Sequence, residues 1–183
     1  MKQTGIIMSG NHPKLILDNR KSMTRRTWGL GEVNKNPDNW EYLGAPYGIW
    51  RFGNKITEEY ITIKCPYGQV GDRLWVRETY YIADHLYNPT KVHYRASEPY
   101  FAGYESVKWK PSIFMPRWAS RITLEITEVR AERLRKATLV DAIAEGFSTI
   151  AELIKAVLHL NHLPEDADPW VGVISFRLWL IHY

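Results

Sequence analysis

Apolar positions recur along this chain at spacings that place most of its elements. The run "TGIIMS" predicts a first strand. In "GNHPKLILDN", Asn11 stands where an N-cap is needed, Pro13 occupies the first turn, and Leu15, Ile16 and Leu17 follow. Asn19 tolerates the left-handed conformation that stops a helix, so a short helix is expected over 12–18, with Lys21 just past it. "KSMTRRTW" reads as extended. "EEYITIKC" alternates, with Ile61, Ile63 and Cys65 on one face. "RLWVRETYYI" is a further strand on which Glu78 shares a face with Leu74, Val76, Tyr80 and Ile82. "KVHYRA" is a short strand. In "RITLEITEVRAERL" the apolar set Ile122, Leu124, Ile126 jumps to Val129, which predicts a β-bulge near Thr127. "ATLVDAIAEGF" predicts a helix, with Thr138 as N-cap, Asp141 at the capping-box position and Gly146 as terminator. "STIAELIKAVLHLN" is a second helix, and "DPWVGVISFRLWLI" closes the chain as a strand. Residues 29–57 are rich in Gly, Asn, Pro and aromatics and hold no helical period. They predict inserted loops, with room for a short hairpin, and with Trp40, Tyr42, Tyr47, Trp50 and Phe52 exposed or half-buried.

The resulting order is β, α, several β, α, α, β. Helices do not alternate with strands, which argues against a doubly wound sheet. The expectation is an α+β fold, a small mixed β-barrel or curled sheet with short helices at its ends. Residues 1–183 form one domain, without repeats, carrying the 29–57 insertion.

Composition alters this picture little. Net charge is +4 and the pI about 9.1, which permits a phosphate-bearing partner without requiring one. Eight Trp and eleven Tyr are many for 183 residues. The single cysteine, Cys65, excludes an internal disulfide and a Cys-based zinc cluster. The six histidines show no strong metal spacing; His159 and His162 read as surface residues. No metal or cofactor is expected. No apolar run suits a signal peptide or a membrane span, and a reducing cytoplasm fits.

No phosphate loop, dinucleotide fingerprint or nucleophile elbow is present. What remains is Lys21, Thr24, Glu78, Glu145 and the arginines. Lys-x-x-Thr alone occurs by chance in many chains, and taken in isolation two solvated side chains explain it far more readily than a catalytic pair. The chemical reading needs a bend at 22–23, because residues three apart on a strand point to opposite faces. An amine desolvated beside Arg25 and Arg26 would lose its proton more readily and could take the threonine's proton. Glu78, on an apolar face, needs a cationic partner, and a structural ion pair comes before a catalytic role.

The segment "KSMTRR", after a first strand and a short helix, resembles the opening motif of the ASCH family, G-x-K-x-x-T-x-R. The blocks "YGQVGDRLWVRETYYI", "PSIFMPRWASRITLEITEVRAERL" and "DAIAEGF" follow in that family's order. The likeness is closest to ASCH proteins of tailed phages and prophages. It spans nearly the whole chain apart from 29–57 and parts of 83–110. Asn19 stands where the family usually has Gly. The resemblance implies a PUA-like fold with a cleft for a nucleobase, nucleoside or RNA. It also implies kinship with the small bacterial amidohydrolases acting on N4-acetylcytidine. Their lysine, threonine and glutamate match Lys21, Thr24 and Glu145, and their following arginine matches Arg26. Those enzymes are much shorter than this chain.

The expected activity is therefore amide hydrolysis of N4-acetylcytidine or a related acylated nucleoside. Thr24 is the nucleophile, Lys21 its base, and Glu145 holds or protonates the substrate nitrogen. Arg25, Arg26, Glu78 and Trp75 are the candidate substrate-binding residues, with Glu78 the second choice of acid. The alternative is a non-catalytic reader of single-stranded RNA or modified bases, or a ribonuclease, of phage origin and working in a host cytoplasm.

Overall fold

The computed structural model describes residues 1–83, 91–98 and 107–181. Its main sheet has five strands: β1 (Gln3–Ile7), β2 (Met23–Arg26), β6 (Arg73–Arg77), β9 (Ile122–Arg133) and β10 (Trp170–Ile181). Their spatial order is β1-β6-β9-β10-β2, with β1 and β6 parallel and the other pairs antiparallel. The fold is α+β, mixed sheets with a few short helices. The expected barrel is not closed, since β1 and β2 are the sheet's two edges among the described residues. The edges meet instead through a side chain, with Arg26 Nη2 donating to the Ile7 carbonyl at 2.7 Å.

The bulge read near Thr127 is present. Ser175 pairs with Glu128 and Phe176 with Ile126, so Thr127 is left over. The helices also fall where the periodicity put them: α1 (His12–Leu17), α3 (Leu139–Ala144) and α4 (Ile150–Leu160). Asn11 does not cap α1, because it has a helical conformation and its side chain makes no cap bond. The expected single strand over 73–82 breaks at Glu78 into β6 and β7 (Tyr80–Ala83), which pairs with β8 (Lys91–Tyr94). Tyr80 N and O bond Lys110 instead of continuing the main ladder.

Residues 29–57 depart most from expectation. They form α2 (Gly31–Asn34), β3 (Trp40–Gly44) and β4 (Ile49–Asn54), and β4 pairs with β5 (Tyr60–Lys64) in a three-stranded sheet. Trp50 and Phe52 are fully buried, not exposed loop residues, while Tyr47 is exposed. The reason is a close approach: a Cβ at Gly172 of β10 would lie 2.5 Å from the Trp50 indole. The small sheet thus docks directly on the large one.

Strand β10 is covered on both faces. Ile174 and Phe176 join the core between the two sheets, with Trp50, Leu124 and Ile126. Val171 and Val173 join a second core with Leu153, Val157 and Leu158 of α4. Burial on both faces is why "WVGVISF" reads as a continuous apolar run.

Candidate active site

Two helix ends build the site. After α1, Asn19 turns at φ 56°, and the N–H groups of Arg20 and Lys21 both donate to Leu15 O, at 2.8 and 3.1 Å. Helix α3 starts on the Thr138–Asp141 capping box and ends at Glu145. Gly146 then adopts φ 88°, a conformation that costs other residues a Cβ clash. A Cβ there would also lie 2.6 Å from Leu15 Cδ1. The ends of α1 and α3 therefore abut, and Ser22 N donates to Ala144 O at 2.8 Å. Side chains 124 positions apart are brought together by this contact.

Lys21, Arg25 and Glu145 are each at least 96% buried. Lys21 Nζ donates to the Glu145 carbonyl at 2.8 Å and stands 3.9 Å from its carboxylate. Arg25 holds that carboxylate more tightly: Nη1 donates to Oε1 at 2.6 Å and the Arg25 backbone N–H to Oε2 at 3.0 Å. The same guanidinium bonds Glu132 through Nε at 3.2 Å and lies 3.2 Å from Asp141 Oδ2. Arg25 is thus committed to three carboxylates, from β9 and both ends of α3, and its side chain has no exposed surface.

This arrangement sets the protonation states. Burial is the main force lowering the Lys21 amine from 10.5 to about 8; Arg26 and Arg25 push the same way, and Glu145 opposes them. The Arg25 pKa is raised, its carboxylates outweighing burial. His12, half-buried, is lowered to about 4 by desolvation and by the Lys21 and Arg26 charges, so it is neutral at pH 7.

Thr24 is buried on β2 opposite Ile174, and its hydroxyl makes no hydrogen bond among the described residues. The pleat places Thr24 and Arg26 on one face of β2 and Arg25 on the other, with Glu145. Arg26 reaches the Ile7 carbonyl, and its Nε is buried without a partner among the described residues. Glu78 belongs to a separate cluster. Arg121 grips it with two bonds, at 2.9 and 3.0 Å, the ion pair that its apolar face demanded. Burial nonetheless raises its pKa. Trp75 lies on the outer face of β6, flanked by Arg77 and Arg117.

Sequence reasoning missed His12, Glu132 and Asp141 as members of the Lys21 network. Asp141 was visible as a capping residue, and it caps while also facing Arg25. The only trace of Glu132 was a charge on a strand whose partner residue, Val171, is fully buried. At Glu132 a groove of about 700 Å³ opens, lined by Trp40 and Tyr42 and by balanced charges, with Arg133 paired to Asp38 and Asp168. Among the described residues no group of His, Cys, Asp and Glu is placed to hold a metal ion, and no helix is long and apolar enough to cross a membrane.

No family model matches the chain, and no curated protein matches it. Among solved structures it is similar to the crystal structure of an Enterococcus faecalis protein of the DUF984 family. That likeness has a TM-score of 0.44 and 11% sequence identity, over 99% of this chain and 78% of the other.

Proposed function

We propose that this protein is an amidohydrolase of the ASCH type, with a PUA-like core, acting on N4-acetylcytidine or a related acylated nucleoside. One observation carries the reading: a fully desolvated lysine amine, with its pKa near 8, is held by Glu145 three residues before a threonine whose hydroxyl is uncommitted. At pH 7.5 roughly a quarter of such amines are neutral, enough to act as a base. Thr24 Oγ attacks the acyl carbonyl and its proton passes to Lys21. The proton then goes to the departing amine nitrogen, leaving an acyl ester on Thr24. Water, deprotonated by Lys21, attacks that ester, and Lys21 returns the proton to the Thr24 oxygen as it leaves, releasing the carboxylic acid and restoring both side chains. Glu145 orients Lys21 through its carbonyl and its carboxylate, from the face of β2 opposite Thr24. Arg26, with its unpartnered Nε, lies on Thr24's face of β2 and would contact the ligand.

The test is release of acetate and cytidine from N4-acetylcytidine by the purified chain. Thr24→Ala and Lys21→Ala are each expected to lower turnover by 100-fold or more. Equal turnover in wild type and both variants would defeat the proposal. A second reading, a non-catalytic reader of RNA or modified bases, is favoured by the enclosure of Lys21 and Glu145. It requires ligand binding without acetate release.

A further inference from the structure

The outer face of the main sheet carries a second chemistry, away from Lys21. On β6 the side chains of Arg73, Trp75 and Arg77 alternate outward while Leu74 and Val76 fill the core. The neighbouring position on β1 is Gly5, paired with Trp75. A Cβ at Gly5 would fall 2.8 Å from the indole, so the ring lies down across that strand. The Arg77 and Arg117 guanidiniums flank it at 5.4 and 5.8 Å from the ring centroid. Arg73 stacks on Trp179 at 4.1 Å, and Trp179 is 47% exposed.

The charges here are uncommitted. Elsewhere Arg25, Arg121, Arg130 and Arg133 are paired with carboxylates. Arg73, Arg77 and Arg117 have no carboxylate partner among the described residues; Arg77 bonds the Ile113 carbonyl, and Arg117 bonds Gln3 and Thr123. Arg77 Nε is buried without any partner. The acids on this face are already held: Glu125, across from Arg73, by Arg177 at 2.9 Å, and Glu128 by Arg130 at 2.8 Å. Three unpaired guanidiniums beside two indoles match a chain of phosphates bearing unpaired bases. Guanidiniums bind phosphate oxygens bidentately, and indoles stack on bases of any sequence.

We propose that this face binds single-stranded nucleic acid, with Trp75 and Trp179 as stacking positions and Arg73, Arg77 and Arg117 as phosphate contacts. Ile113, Phe114 and Trp118 are exposed beside Arg77 and Arg117, but a protein partner matches the face less well, because three guanidiniums without carboxylate partners call for a polyanion. The site is independent of the hydrolytic reading, and its failure leaves that reading standing.

The experiment is fluorescence anisotropy of labelled oligo-U and oligo-dT with the full chain at rising salt. Three phosphate contacts predict that log affinity falls against log salt with a slope of about −2. Changing Arg73, Arg77 and Arg117 together to Gln is expected to flatten that slope to near zero. Trp179→Ala, at a half-exposed site that folding tolerates, is expected to weaken binding about five-fold or more at every salt with the slope unchanged. Thr24→Ala is expected to bind like wild type, which separates this face from the Lys21 site. The oligo-U and oligo-dT arms tell an RNA reader from a general single-strand binder. Three outcomes overturn the proposal: no binding at about 50 mM salt, duplex bound as tightly as single strand, or Trp179→Ala binding like wild type.

Discussion

Replacing Lys21 by methionine is expected to stabilise the protein at neutral pH and to lose that advantage in alkali. The amine has no exposed surface, and its pKa stands at about 8 against an ordinary 10.5. At 1.36 kcal/mol per pH unit, holding the ammonium form in the folded state costs about 3 kcal/mol. The folded pKa lies below the unfolded one, so between about 8 and 10.5 the unfolded chain binds more protons. Wild-type stability therefore rises with pH across that window, and the whole penalty applies below it. Methionine has a similar length and no charge; it forfeits the bond to the Glu145 carbonyl, worth about 1 kcal/mol. The net gain at pH 7 is about 2 kcal/mol, or roughly 4–8 °C in melting temperature for a chain of this size. Urea unfolding of both proteins at pH 7 and pH 10 measures it. If Lys21→Met loses stability at pH 7, and by the same amount at pH 10, then Lys21 sits in a net favourable ion pair and the reasoning fails. The expected result makes Lys21 a residue kept against stability, the usual mark of a position retained for chemistry.

Two further perturbations test the elements that frame the site. Arg121→Ala strands the buried Glu78 carboxylate and is expected to cost about 3–5 kcal/mol at pH 7. Burial raises the Glu78 pKa, so stability is lost as pH rises through it, and the deficit should be smaller at pH 5 than at pH 7; equal deficits in thermal melts at the two pH values would contradict this. Gly146→Ala must adopt φ 88° and meet Leu15 at 2.6 Å, and is expected to cost at least about 2 kcal/mol. Gly31→Ala meets nothing within 4 Å and should stay within about 0.5 kcal/mol of wild type by urea unfolding.

Much of the secondary structure was legible because its signals are local. The capping box at Thr138, the left-handed stops at Asn19 and Gly146 and the bulge at Thr127 each depend on residues within a turn of one another. The small sheet was misread although its signal was present: Ile49, Trp50, Arg51 and Phe52 alternate exposed and buried, in a short run hidden among glycines and prolines. Their burial depends on Gly172, the surface that receives Trp50, which lies far along the chain.

Strand and helix positions outside 29–57 and the need of Glu78 for a cation came from the amino-acid order alone, and the candidacy of Lys21, Thr24 and Glu145 from the resemblance of that order to the ASCH family. That Arg121 answers Glu78, that Arg25 ties Glu145 to Glu132 and Asp141, and that three other arginines face outward beside tryptophans were decided only in the folded chain. The reason is range. Periodicity and capping act over a few residues, whereas the state of a buried charge depends on which distant groups packing brings within about 4 Å.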